Sequence, residues 1–548
     1  MAVLTGIDVL GVQRFIFSSN RLKDVVAGSY LVEWSTSREG AFLELRNKGL
    51  IEKDEDILLA SGANAFIVFS DKTKARAFAA EYSRLLYEEA PGVETVIVHE
   101  EIGSEDLAAT LQKIQIKLAR EKTERIPSVP LAGVSVNSTC METGLPAVDF
   151  APDKSNRPIS KNIAKRRQKE IRDNANGYWK KCLLKGGNEF DFPLKLEHLG
   201  STVGDTSMMG VVHIDGNGVG ELIKQWLIEK ADSGINDKQF RKEYKEWSKA
   251  IDELGYASLQ SVVDRLFESV EDGSVTGKPS RLVFDLKKPD SSNGLMLPLR
   301  PILLGGDDLT FVCDGRIALD LAETALGVFE SEKSKIPHLD KPIRACAGVA
   351  IVRVRSPFIR AYQLAEKLCL SAKMKSKASG GDHCAIDWHI GLGRPGDSLS
   401  ELRDRHYKVA RSDNSEDSPM ELTCRPYLLG CANNPEEESW RWLRMEVLDN
   451  QEYGLRGEAW ADKRNKVKAL PEVLRGGPDA VRDAITAWRV ANNDKPDLQM
   501  PLVNSSGGFF DHTRTPLLDA VELVDLHLEL MGNAGDTSEP KTDKGGMP

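Results

Sequence analysis

The chain has 548 residues, 41% apolar and 28% charged, a globular composition with length for about three or four ordinary domains. No apolar run approaches the ~18 residues of a membrane span, and Met1 to Phe17 carries Asp8 within its apolar stretch and no basic leader; a cytoplasmic chain without membrane anchor or signal peptide is expected. The net charge of −10 excludes a uniformly basic nucleic-acid coat but not a local basic patch, and the eight cysteines form no Cys-x-x-Cys pair, against a disulfide scaffold or an obvious zinc site.

From the N-terminus, Gly6-Ile7-Asp8-Val9-Leu10-Gly11-Val12-Gln13-Arg14-Phe15-Ile16 is echoed by His213-Ile214-Asp215-Gly216-Asn217-Gly218-Val219-Gly220-Glu221-Leu222-Ile223. Ile-Asp and Gly-Val recur at the same spacing, and an apolar pair follows in both. A second echo keeps the order. Ser61-Gly62-Ala63-Asn64-Ala65-Phe66-Ile67-Val68 aligns with Gly305-Gly306-Asp307-Asp308-Leu309-Thr310-Phe311-Val312, each a Gly-bearing turn entering a strand. The pattern predicts two related α/β domains of the α+β kind, over 1–125 and 206–396. Only the second keeps the acidic residues.

Between them, 126–205 reads as a basic linker or helical insert. Lys154 to Lys181 holds ten Lys or Arg against Glu170 and Asp173, a net of +8. A solvated helix explains such a run; so does an RNA-backbone or partner contact through Lys165, Arg166, Arg167 and Lys169. Residues 221–271 read as helices, with Leu259, Val262, Val263 and Leu266 at helical spacing. Ser291-Ser292-Asn293-Gly294 predicts a turn before the strand into Gly305. Arg344 to Val352 predicts a buried strand, and a helix follows over Ile359 to Lys375. Beyond Gly393-Arg394-Pro395-Gly396 the pattern turns to charged helical segments, including Glu437–Val447, Pro478–Val490 and Pro516–Met531. It predicts a separate helical domain over 397–532 and a disordered tail over 533–548.

The chemistry concentrates at Gly305-Gly306-Asp307-Asp308. Glycines let a backbone turn sharply and approach a phosphate, and adjacent carboxylates at a hairpin tip supply hard oxygen ligands for Mg²⁺ or Mn²⁺. A polar hairpin turn would use the same residue types. Asp215, at the end of the strand Met209 to Ile214, decides between the two readings: beside the hairpin it would complete a three-carboxylate cluster suited to a pair of metal ions. Catalysis is assigned to Asp215, Asp307 and Asp308, and metal ligation to these three with Ile214. Gly216, Gly305, Gly306 and Lys373 are assigned to the donor nucleotide, Lys373 reaching phosphate oxygens as a point charge. Ser61, Gly62, Ala63 and Asn64 are assigned to an acceptor nucleotide between the two halves.

These residues resemble a known family. Gly-Val-Gln-Arg-Phe-Ile at 11–16, with Leu22-Lys23-Asp24-Val25-Val26-Ala27-Gly28-Ser29-Tyr30-Leu31, resembles the first palm domain of the large signalling subunit of type III CRISPR effector complexes. Asp215-Gly216-x-x-x-Gly220, Gly305-Gly306-Asp307-Asp308, Ala347-Gly348-Val349-Ala350 and Ser371-Ala372-Lys373 resemble its second palm, and the likeness continues at Leu422-Thr423-Cys424-Arg425-Pro426-Tyr427. The resemblance implies two ferredoxin-like palms similar to nucleotide cyclases. It implies an acidic palm that makes cyclic oligoadenylates from ATP when target RNA is bound, with other effector subunits and guide or target RNA as partners. A standalone cyclic nucleotide synthase without RNA control and a non-catalytic scaffold remain the alternatives.

Three departures qualify the resemblance. None of the nine histidines is followed by Asp, so HD-type nuclease activity is not expected. The family's inter-palm zinc site uses Cys-x-x-Cys pairs, whereas Cys140 has Thr143 at the second position, so zinc is not expected. Asn217 stands where some relatives carry a further carboxylate.

Overall fold

Strand β1 (Val3–Leu10) is buried along nearly its whole length, as a central strand with apolar residues on both faces must be. The computed structural model describes residues 1–103, 107–125, 136–153, 155–184, 189–199, 207–289, 294–394, 396–409, 419–430, 438–490, 508–510 and 513–531. Lys154, the turn residues 291–293 and the tail 533–548 lie outside the described residues.

After β1 come α1 (Leu22–Thr36), β2 (Ile57–Ser61), β3 (Asn64–Phe69), α2 (Lys72–Glu89), β4 (Glu94–Glu101) and α3 (Leu107–Glu124). The sheet order is β2-β3-β1-β4, and each neighbouring pair is antiparallel. This is the ferredoxin-like alternation of strand, helix, two strands, helix and strand. Gly62 and Ala63 turn the β2–β3 hairpin with φ of +59° and +64°. Such a two-residue turn needs the left-handed region at both positions, which suits Gly62 and strains Ala63.

Helix α4 (Lys169–Leu183) packs on α1 and leads to the second sheet. There β5 (Met208–Gly216), α5 (Val219–Asp232), α6 (Asp237–Glu268), β6 (Leu299–Gly305), β7 (Asp308–Asp314), α7 (Ala318–Glu330) and β8 (Ala345–Arg353) repeat the alternation. Helix α8 (Phe358–Ala378) follows, then β9 (Ala385–Ile390) and β10 (Tyr427–Leu428). The order β6-β7-β5-β8-β9-β10 begins with the arrangement of the first sheet and adds two strands, β9 running parallel to β8. Register supports the internal echo. Ile7 faces Ala65 and Asp8 faces Asn64 in the first sheet, while Ile214 faces Leu309 in the second.

Helix α6 is capped by Asn236, whose side chain accepts from the Gln239 N–H, and it buries Leu259, Val262, Val263 and Leu266 as the periodicity predicts. It also braces both hairpins. Gly255 leaves room for the Gly306 carbonyl, which a Cβ there would strike, and Asp252 accepts from Ser61 Oγ at 2.7 Å.

The C-terminal part departs from expectation. Tyr427–Leu428 extends the second sheet, and Glu529–Leu530 pairs with Gly277–Lys278. The buried Arg425 donates Nη2 to Glu522 at 2.9 Å, places Nε 2.7 Å from Asp519, and lies over the Trp388 ring. A buried guanidinium needs carboxylates around it, and that need ties 419–530 to the sheet. Described residues of this part, among them Leu402, Tyr427, Trp440, Leu474 and Leu523, thus pack in one core with the second sheet. The helix expected over Pro516–Met531 ends at Val524, and the expected Glu437–Val447 helix is a short α-turn at Trp440–Trp442 continuing as a π-helical turn to Leu448, with Glu437 outside the described residues.

Candidate active site between the palms

The end of β5 and the β6–β7 hairpin bring Asp215, Asp307 and Asp308 together. Lys373, from α8, donates to Asp215 Oδ2 at 2.6 Å and to the Gly216 carbonyl at 2.7 Å. The lysine expected to meet a triphosphate is thus paired with the acidic cluster itself. Asp307 packs against Gly216, where a Cβ would collide with its Oδ2. Burial first, then the Asp215 charge, pushes Asp307 up to about 6. Asp308 is raised further by burial and then by both neighbouring aspartates. Its Oδ1 is buried without a hydrogen-bond partner. His213 Nδ1 lies 3.5 Å from that oxygen, but burial pulls the imidazole down to about 4, so it is neutral and provides no counter-charge. Ile214 is buried in β5, paired on both sides, and has only main-chain donors to offer.

Opposite stands the first palm's hairpin. A methyl group on Gly305 would lie 3.4 Å from Gly62 Cα, so the two turns nearly touch. Beside them is a cavity of about 270 Å³, lined by Asp8, Gly11, Glu33, Gly62 and Ala63 from one palm and by Gly305 and Asp308 from the other. Asn64 donates to the Gly62 carbonyl at 3.0 Å, within its own turn. Asp8 is paired with Lys122 of α3, and burial raises its carboxyl. Lys122 holds the place in α3 that Lys373 holds in α8, and both helices follow the fourth strand of their palm. The sequence echo reached Asp8, but only the fold reveals Lys122. Glu33, Asp252 and Tyr178 also went unnoticed in sequence, since no motif surrounds them, and Tyr30 was read only as part of the first-palm motif, with no role of its own.

The basic segment needs correction. Arg166 is fully buried, donates to the carbonyls of Phe15 at 2.6 Å and Ile16 at 3.3 Å, and lies 4.1 Å over the Phe15 ring. Gly28 makes the space, for a Cβ there would sit 3.0 Å from the guanidinium. Arg167, also buried, pairs with Asp24 at 2.7 Å and with Glu142, and Arg172 reaches the other Asp24 oxygen at 2.9 Å. Lys165 pairs with Glu89 at 2.6 Å. Of the four residues assigned to nucleic acid, Lys169 alone is exposed. Arg166 and Arg167 hold the insert to the first palm and are unavailable to RNA phosphates.

Where the resembled family places its second zinc-site cysteine, the Thr143 hydroxyl lies 3.0 Å from Ser160 Oγ, close to the buried Cys140.

No family model matches the chain, and no curated protein matches it by sequence. Solved structures do. The Csm1–Csm4 cassette in complex with one ATP superposes with a TM-score of 0.52 at 14% identity, covering 96% of this chain and 70% of that one. The fold is that of Csm1. The cassette with AMPPNP gives a TM-score of 0.50 at 16% identity, and that with pppApApA 0.50 at 13%; each covers 96% of this chain and 69% of its own. The Csm1 fold agrees with the ferredoxin-like palms that the sequence resemblance implied. Among the described residues, no helix is long and apolar enough to cross a membrane.

Proposed function

We propose that this chain is a metal-dependent nucleotidyltransferase that converts ATP into a cyclic oligoadenylate signal, acting with other subunits of a type III CRISPR effector complex and under control of guide and target RNA. One observation carries the reading: Asp308, with a buried and unpartnered carboxylate oxygen, lines a cavity whose opposite wall includes the second, uncharged hairpin. Carboxyls that repel one another so strongly suit a site that receives a cation and phosphates. The Csm1–Csm4 structures in complex with ATP and with pppApApA support ATP as substrate and a cassette partner.

The donor set fits a hard divalent cation. Asp215, Asp307 and Asp308 offer only oxygen, with the Ile214 main chain beside them. Among the described residues no three His, Cys, Asp or Glu side chains stand at ligand spacing, and phosphate oxygens of a bound nucleotide would be further hard ligands of the same kind. Bound there, Mg²⁺ or Mn²⁺ would draw charge from the phosphates and acidify an attacking 3′-hydroxyl. Lys373 neutralises Asp215 and keeps an ammonium at the place where phosphate charge arrives. The Gly62–Gly305 approach leaves the cavity shared by both palms, so an acceptor on Ser61–Asn64 presents its hydroxyl towards the acidic hairpin. Such orientation contributes ~7–11 kcal/mol to the rate.

The test incubates the full chain and its co-purified partners with labelled ATP and Mn²⁺, with and without target RNA. Oligoadenylates should form with the native protein and vanish with Asp307→Ala/Asp308→Ala; full activity in that variant would overturn the reading in favour of a scaffold. A bulky residue at Ala63 should reduce oligomer formation far more than ATP binding.

A further inference from the structure

The floor of the same cavity holds a carboxyl for which the phosphate chemistry has no use. Glu33, from α1, lines it together with Tyr30 of the same helix and Tyr178 of α4. The Glu33 side chain makes no hydrogen bond and no ion pair with any described residue, and Asp252 of α6 adds a repelling charge. A half-buried carboxyl without a partner costs stability unless a ligand satisfies it. The rings of Tyr30 and Tyr178 lie 6.4 Å apart at 58° and are both half-buried, giving an aromatic wall beside it.

We infer that Glu33, flanked by Tyr30 and Tyr178, reads the base of the acceptor nucleotide and selects adenine by its amino edge. This rests on the nucleotidyltransferase reading above and adds the residue that chooses the base. A neutral carboxylic acid accepts from the exocyclic amino group through its carbonyl oxygen and donates through its hydroxyl to the neighbouring ring nitrogen of adenine. An ionised carboxylate matches guanine instead, which offers two N–H donors side by side. Burial, reinforced by Asp252, pushes Glu33 up to about 7, so the neutral acid is well populated at neutral pH. The tyrosines supply faces on which a base stacks without regard to its identity. Stacking thus holds the base, and Glu33 distinguishes it.

The experiment separates acceptor from donor. Nucleoside 5′-monophosphates carry a 3′-hydroxyl but no pyrophosphate to release, so they serve only as acceptors. With labelled ATP as donor, the assembled protein is offered AMP, GMP or the monophosphate of purine riboside, which lacks the amino group. AMP should be preferred over the purine riboside analogue by about tenfold, the worth of one buried hydrogen bond. Glu33→Leu should bring the two within about threefold, while Glu33→Gln, whose amide also both accepts and donates, should retain the preference. An unchanged AMP preference in Glu33→Leu overturns the inference. Equilibrium binding of AMP and the analogue to both variants reads the same selectivity without turnover. If the native protein transfers nothing from ATP, the nucleotidyltransferase reading falls, and the binding ratio still decides the role of Glu33.

Discussion

The two palms differ in what their hairpins carry, not in how they are built. Both have the same four-strand order, a near-equivalent turn, and an Asp–Lys pair joining the first strand to the helix after the fourth: Asp8 with Lys122, Asp215 with Lys373. The second palm adds Asp307 and Asp308, where the first has Ala63 and Asn64. An Asp–Lys pair is nearly self-neutralised and asks for little. The two further carboxyls of the second palm are held above their ordinary range by burial and by neighbouring aspartates, so a cation arriving there would relieve that strain by favouring their ionised form.

The largest effect should come from removing the difference. Asp307→Ala/Asp308→Ala should lower ATP turnover on the order of a thousandfold or more. Because both carboxyls are held above their ordinary range, the variant should melt no lower than the native protein, and Mn²⁺ should raise the melting temperature of the native protein alone. A metal-induced shift that survives in the variant would place the cation elsewhere.

The first palm is also held by a clamp, the Arg167–Asp24–Arg172 cluster. Arg167→Ala should destabilise the protein by about 3 kcal/mol in a denaturant titration, since it strips a buried carboxylate of one partner. Lys169→Ala should change stability by less than ~0.5 kcal/mol. Equal losses would mean the basic segment does not divide into a buried anchor and a solvated end.

The shared pair offers a sharper comparison. Lys373→Met should cut turnover about a hundredfold, because that ammonium stands where charge develops. Lys122→Met should cut it less than about tenfold. Similar losses measured on labelled ATP would show that the first palm takes part in chemistry as well as seating. A further small effect is conformational: Ala63→Gly should stabilise the fold by about 1 kcal/mol by relieving a left-handed alanine, as thermal melts would show.

Asp215, Asp307, Asp308 and Lys373 were legible in the sequence because each lies in a contiguous motif at a strand end or in one helix. The duplication was legible for the same reason, and register now supports the pairing of Ala63 and Asn64 with Asp307 and Asp308. Arg166 and Arg167 were misread because a charge count cannot see Asp24 or the Phe15 carbonyl arriving from another part of the chain. Glu33 and Asp252 sit in helices whose pattern is ordinary; only the fold brings Asp252 near enough to Glu33 for their charges to interact. The C-terminal part was read as separate because strands of two residues, such as Tyr427–Leu428, have no periodicity to detect.

The seam between the palms also fixes how the molecule comes apart. The Ser29 hydroxyl donates to the Ile302 carbonyl across it, Phe17 stacks 4.1 Å from Tyr362, and one continuous apolar core runs through both sheets. Duplicated units with separate cores would melt independently. These two should lose structure together, so a fragment ending near Leu199 would expose the face that carries Ser29 and Phe17 and would associate with itself before it folded.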